Sequence, residues 1–324
     1  MTDVLLELKS VGATIAGTEI LSDISVTVER GQSIGLVGET GSGKSMACRL
    51  MSGMIRHVGG SIIRGQIQFE GRDVTQLSEK GWRQLRGSRI GYIAQNSLSS
   101  LNPVMTVGSQ LREAIHLQRD RALPWSDECQ LLEMVEMAQP KIVADSYPHQ
   151  LSGGMRQRVA IALGIAGAPD LLIADEPTTA LDVTIQKEIL DLLSRLTASS
   201  GMSLVLVSHD LSLVAEVCEH VNVLYAGTTV EFGSVGEVMG SPAHAYTAAL
   251  LGAMPGLATA GHRLTAIPGA PPDPRAWPVG CRFAPRCEFA QPLCCERLPQ
   301  LMDVTADHQS RCVRMEEKPW LTAR

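Results

Sequence analysis

The sequence predicts an α/β fold: a mostly parallel sheet with helices on both sides, antiparallel strands near the N-terminus, a helical insertion and a small cysteine-rich C-terminal extension. Three observations predict it. Short apolar runs alternate with helical patterns before residue 96 and again after residue 165. The later runs, Leu171–Ala174 and Leu204–Ser208, are continuously apolar, as strands covered on both faces are. Between the two blocks, over roughly 96–165, the pattern is mainly helical.

Taken in order, Leu5–Lys9, Ile24–Val28 and Ser33–Val37 read as strands, and the last runs into a glycine-rich loop with a helix from near Lys44. Ile67–Phe69 and Ile90–Ala94 are further strands. Helices are expected at Val107–Gln118 and Asp127–Ala138. The turn-rich segment 147–154 leads into another, Met155 to about Ala168. Ile185–Ala198 is helical. After Leu251, Pro268, Pro271, Pro272, Pro274 and Pro278 mark a linker with little regular structure. The expected division is therefore a domain over 1–251 and an extension over 252–324.

The 324 residues, 44% apolar, suffice for a large core and an appendage. Aromatics at 4%, a net charge of −6 and no long Lys/Arg run argue against a nucleic-acid partner. Met1–Ser10 carries Asp3 and Glu7 and lacks the basic start and apolar core of a signal peptide. No apolar stretch reaches the ~18–20 residues of a membrane-spanning helix; the richest, Val159–Ala174, is broken by Pro169-Asp170. The expected location is the cytoplasm, with other subunits holding the chain at a membrane.

Gly38-Glu39-Thr40-Gly41-Ser42-Gly43-Lys44-Ser45 matches the phosphate-loop pattern G-x-x-x-x-G-K-S/T. Glycines let backbone N–H groups curl around phosphate oxygens, and the following helix aims its positive end at the same anion. Lys44 is expected to reach the β- and γ-phosphates of a nucleotide, ATP or GTP, and the Ser45 hydroxyl to ligate Mg2+. Leu171–Asp175 then ends an apolar strand in an acid, where ligands of such sheets bind. Asp175 is expected to help hold Mg2+, and Glu176 to polarise the attacking water as general base. A third segment, Leu151-Ser152-Gly153-Gly154-Met155-Arg156-Gln157, opens a helix with a serine cap and two glycines. It is either a second anion site or a plain helix cap.

With these segments the sequence resembles the ATP-binding-cassette family, whose signature is LSGGQ; Met155 stands where that glutamine would be. Gln95 at a strand end is similar to the family's Q-loop glutamine. Thr179-Ala180-Leu181-Asp182 resembles the D-loop, and His209 the switch histidine. The resemblance implies a P-loop NTPase (RecA-like) fold and two cassettes facing head to tail. Ser152, Gly153, Gly154 and Met155 would contact ATP bound to the partner cassette, and Asp182 would lie in the D-loop. Gln95 would sense Mg2+ and water and couple to membrane subunits through the helical insertion, and His209 would hold the γ-phosphate and Glu176 geometry. One departure stands out: the family stacks adenine on an aromatic residue, and Val11–Ala16 offers none, leaving Ile15 or a neighbour for the base.

Of eight cysteines, Cys48, Cys129 and Cys218 are scattered, and Cys281, Cys287, Cys294, Cys295 and Cys312 crowd the tail. In a cytoplasmic chain this reads as metal binding before disulfides. Cys281, Cys287, Cys294 and Cys312 are spaced C-x5-C-x6-C-x17-C, which suits Zn2+ or a 4Fe–4S cluster without choosing between them. Loosely packed reduced thiols are the plain alternative, and Cys295 is an alternative to Cys294. The segments from His244, from Ile267 and from Gly280 to Cys287 are similar to the C-terminal extension of dipeptide, oligopeptide and nickel importer ATPases, and Gln95–Pro103 and Gly154–Arg158 resemble the same subgroup.

That second resemblance implies an iron–sulfur cluster on those four cysteines, structural in role and away from the phosphates. Arg282 and Arg286 flank the first two, either neutralising cluster charge or simply solvated. It also implies the partners: a second cassette subunit, two transmembrane permease subunits and an extracytoplasmic solute-binding protein. The expected function is an ATPase powering import of di- or oligopeptides from the cytoplasmic face of the membrane. Nickel or another solute, or a soluble non-transport cassette ATPase, are the alternatives.

Overall fold

A computed structural model describes residues 3–95, 100–118, 123–179, 181–254 and 266–322. The chain folds into two compact units: one built mainly from 76–207, the other from 4–28, 34–75 and 208–324.

In the first unit, strands Ile90–Ile93, Leu171–Asp175 and Ser203–Ser208 pair in parallel, Ile90 opposite Leu171 and Leu171 opposite Ser203. Every residue of the latter two is buried, which is why their sequence shows no polar alternation. The predicted insertion is a set of packed helices: Val107–His116, Glu128–Met134, Pro140–Asp145 and Gly153–Ile165. Thr106 and Asp127 cap the first two by accepting backbone N–H groups of the opening turn. The helix expected over Asp127–Ala138 ends at Met134. Glu136 and Gln139 take positive φ (both 55°), and Pro140, which cannot continue a helix, starts a new one at its first position.

In the second unit the first strands are longer than expected. Val4–Ile15 and Thr18–Glu29 are neighbours in the sheet, and Ala16 and Gly17 between them have φ of 48° and 80°, as a tight hairpin turn requires. Gly60–Phe69 lies antiparallel to the first strand. Ser33–Val37 runs parallel to His220–Tyr225, which turns through Ala226-Gly227 into antiparallel Thr228–Ser234. The antiparallel N-terminal strands thus sit in this unit, and the purely parallel ladder in the other.

The tail is less irregular than its prolines suggest. Met302–Thr305 and His308–Ser310 form a ladder that continues the sheet, with Ser310 opposite Glu231 of Thr228–Ser234. A buried polar network fixes it there. The Glu231 carboxylate, wholly shielded from solvent, accepts the N–H groups of Ala243 (2.7 Å) and His244 (3.0 Å) and lies 2.7 Å from His308 Nε2. Such a carboxylate is tolerable only when its lone pairs are met in this way. Among the described residues no helix is long and apolar enough to cross a membrane.

Candidate functional site

The phosphate loop connects the buried Ser33–Val37 strand to the helix Lys44–Met51. Its glycines are required by geometry. Gly38 has φ of 152°, and a Cβ there would lie 2.2 Å from the Leu224 carbonyl oxygen. Gly43 has φ of 106°, and a Cβ would lie 2.6 Å from Leu21. Lys44 is 5% exposed, and its ammonium donates to the carbonyls of Gly38 (2.8 Å) and Glu39 (3.1 Å). A lysine buried against its own glycine-rich loop at a helix start puts a positive charge where that loop and helix end favour an anion. The Ser42 hydroxyl is buried with no hydrogen-bond partner among the described residues, and an oxyanion would satisfy it.

Glu39, the loop's second residue, is held from outside. Its N–H donates to the Tyr246 hydroxyl (2.8 Å), and its carboxylate receives two bonds from Arg286 (2.7 and 3.1 Å). Tyr246 and Arg286 were not among the expected site residues; only a long-range contact places them there. His209, of the same unit, follows the Ser203–Ser208 strand directly and is exposed.

The other unit carries the acids. Asp175 ends its buried strand and accepts a hydrogen bond from the Tyr92 hydroxyl at 3.0 Å. Glu176 has φ of 48°, uncommon for a residue with a side chain; such conformations cluster at functional sites. Its Oε2 accepts from Gln95 Nε2 (2.9 Å) and from the Thr179 hydroxyl (3.0 Å), so the structure brings together Gln95 and Glu176. Tyr92 and Thr179 were missed as partners. The signal for Tyr92 was present: a tyrosine three residues before Gln95, in an apolar strand, needs a partner for its hydroxyl.

Ser152 caps the Gly153–Ile165 helix, accepting the Met155 N–H at 3.3 Å. Gly153 and Gly154 lie against the D-loop segment: a Cβ on Gly153 would come 3.5 Å from Leu181, and one on Gly154 3.0 Å from Ile185. Asp182 caps the Val183–Ser200 helix through Ile185 N–H at 3.0 Å. Ala180 and the residues after Gln95, 96–99, lie outside the described residues.

In the tail, Cys281, Cys287, Cys294 and Cys312 all line one small cavity with Phe283 and Phe289. Among the described residues no cysteine forms a disulfide. Burial pushes the Cys281 thiol up to about 12 and Cys312 up to about 11, and raises Cys287 as well. Thiolates there need a compensating cation. Yet among the described residues no group of three or more His, Cys, Asp or Glu side chains is placed to hold a metal ion. The expected metal set is thus a convergence on one cavity without a closed ligand shell. The arginines are a correction. Arg282 is buried, stacked 3.3 Å from the Trp277 ring centre and donating to the Ala226 carbonyl, and Arg286 binds Glu39; neither is solvated.

A family model described as ABC transporter matches residues 21–179, and one described as oligopeptide/dipeptide transporter, C-terminal region, matches 230–294. A putative peptide import ATP-binding protein of Brucella ovis is 42% identical over 310 residues, covering 92% of each chain. A probable peptide ABC transporter ATP-binding protein of Sinorhizobium fredii is 40% identical over 322 residues, covering 97% of this chain and 96% of that one. Among solved structures, a dimeric ATP-binding cassette in a post-hydrolysis state with ADP and Pi aligns with TM-score 0.62 at 25% identity, covering 71% of this chain and 99% of that one. CbiO1 of Clostridium perfringens, part of an ABC transporter complex, aligns with TM-score 0.63 at 27% identity, covering 74% and 91%.

Proposed function

Because this chain belongs to the ATP-binding subunits of ABC transporters and is an ABC-type ATPase, we propose that it powers import of di- or oligopeptides as the cassette of a multi-subunit importer. The relatives' names and the match of the tail to the oligopeptide/dipeptide transporter region support the cargo class. The proposed assembly is a second cassette, two permease subunits and an extracytoplasmic solute-binding protein, with this chain at the cytoplasmic face of the membrane. Residues 1–251 are assigned to nucleotide work and 252–324 to the extension.

The observation that carries the catalytic reading is Glu176, held at φ 48° with its carboxylate bonded to Gln95 and Thr179. In the proposed cycle Gly38–Ser45 wraps the phosphates of ATP. Lys44 leaves the Gly38 and Glu39 carbonyls for the β- and γ-oxygens. Ser45, Gln95 and Asp175 would hold Mg2+, which would offset phosphate charge there, and the Tyr92 hydroxyl would steady Asp175. Glu176 takes the proton of the attacking water, and Gln95, already on Glu176, reports the metal and water geometry. His209 steadies the γ-phosphate. Ser152, Gly153, Gly154 and Met155 complete the partner's site, with Asp182 holding the adjoining helix. Most of the acceleration would come from positioning and electrostatics, as in phosphoryl transfer generally.

Glu176→Gln keeps the hydrogen bonds and removes the base. It is expected to bind MgATP normally and lower kcat by roughly 10²-fold or more. Unchanged turnover would remove Glu176 from the role of base. Lys44→Ala is expected to lose MgATP binding.

For the tail we propose a 4Fe–4S cluster on Cys281, Cys287, Cys294 and Cys312. The convergence of the four cysteines on one cavity supports a shared metal group, and the resemblance of the tail to the importer ATPases is the reason for choosing a cluster over Zn2+. Iron and sulfide analysis of anaerobically purified chain tests this, and stoichiometric zinc without sulfide would reject it.

A further inference from the structure

The C-terminal extension reaches the phosphate loop directly through Arg286 and indirectly through Arg282. Arg286 has 6% of its side chain exposed and grips Glu39 with both terminal nitrogens, at 2.7 and 3.1 Å. It also donates to the Tyr225 hydroxyl (3.1 Å) and the Pro268 carbonyl (2.7 Å), so its position is fixed on several sides. Arg282, one short turn earlier, donates to the Ala226 carbonyl, and the next residue, Gly227, gives its N–H to the Ser42 carbonyl at 2.8 Å. Phe283 between the two arginines packs on Tyr225 and Tyr246, with ring centres 5.3 Å apart in each case.

An acidic side chain in a loop that wraps a polyanion is an electrostatic liability, because in a poorly solvated site its charge opposes that of the phosphates. Here that charge is matched by a planar two-point partner, the geometry that best combines attraction with orientation. The same residue's carbonyl accepts from Lys44, so fixing Glu39 fixes the resting place of the lysine. We propose that Arg286 is a positioning residue for ATP binding: it neutralises Glu39 and sets the phosphate loop, making the C-terminal extension part of the nucleotide site. The inference rests on the reading of Gly38–Ser45 as the ATP phosphate loop. It gives the tail a task at the phosphates rather than a purely structural one.

The test measures steady-state hydrolysis and MgATP affinity in the full-length chain within its purified complex. Arg286→Ala is expected to raise KM and Kd for MgATP about tenfold with kcat within about twofold, and Arg286→Lys to restore part of the loss. Because Arg286 acts through Glu39, Glu39→Gln with Arg286→Ala is expected to bind better than Arg286→Ala alone. A wild-type KM in Arg286→Ala, a fall in kcat at unchanged KM, or no relief from Glu39→Gln overturns the proposal. Should Arg286→Ala not fold, Arg286→Lys alone and with Glu39→Gln decide by the same criteria. Lys44→Ala separates the two levels. If it still binds MgATP, the reading of the loop itself fails; if it loses binding while Arg286→Ala is normal, only the present inference fails.

Discussion

The phosphate loop before the Lys44–Met51 helix and the Ser152-capped start of the Gly153–Ile165 helix are both glycine-bearing helix starts, and they are built differently. At the phosphate loop, Gly38 and Gly43 have no room for a side chain, Lys44 and Ser42 are buried, and tail residues brace Glu39. At the signature helix, Ser152 is exposed, Gly153 has ordinary space beside Leu181, and Ser152 itself supplies the cap. The first start is shaped by its own unit down to single atoms. The second is looser: Ile185 crowds a Cβ at Gly154, but Gly153 has ordinary van der Waals space. Packing explains glycine in the loop. At Gly153 no described neighbour demands glycine, and contact with a partner's nucleotide is the proposed reason for it.

The strongest way to break this comparison is at Gly38. Gly38→Ala forces a Cβ onto the Leu224 carbonyl at a φ that alanine rarely adopts. We expect a loss of roughly 3 kcal/mol or more in stability, or in nucleotide affinity if the loop alone yields. Denaturant titration and MgATP titration separate the two. A well-folded variant with normal affinity would mean the loop is far looser than its contacts imply.

A second, smaller effect concerns the brace. His244 is fully buried, and burial, followed by the charge of Arg311, depresses its imidazolium to about 3. The neutral ring accepts the Tyr246 N–H at Nδ1, and Tyr246 in turn accepts from Glu39. Below the ordinary histidine value of about 6.5 the unfolded chain takes a proton that the fold refuses, so stability is lost as pH falls from there towards 3. Between pH 6.5 and 5.5 this residue is expected to cost about 1 kcal/mol. His244→Gln should flatten that slope in denaturant titrations, and an unchanged slope would place the acid sensitivity elsewhere.

The smallest effects belong to the signature helix. Ser152→Ala removes a cap and is expected to cost about 1 kcal/mol of stability. Gly153→Ala should change stability by less than about 1 kcal/mol, alanine favouring the helix. Their hydrolysis rates in the assembled complex sharpen the contrast. If Gly153→Ala abolishes turnover while the isolated chain stays stable, the glycine serves a partner surface. If turnover is normal, the signature helix start is a cap and nothing more.

The sequence alone determined the parallel strands of the first unit, the helical insertion and the phosphate loop, because each depends on local pattern. Buried strands read as apolar runs, caps precede helices, and a phosphate loop must carry its glycines at fixed spacing. Residue order likewise determined Asp175, Glu176 and Gln95 as candidates. What only the tertiary structure decided were pairings between residues far apart in the chain. Arg286 and Glu39 are separated by 247 positions, and nothing local distinguishes that arginine from a solvated one. Tyr92 on Asp175, Tyr246 on the loop, and the sheet hydrogen bonds of 302–310 are of the same kind. Local sequence sets backbone preference and periodicity. The fate of a polar side chain is settled by which distant group burial leaves beside it, and for Arg282 and Arg286 burial left the phosphate loop and its supporting turn.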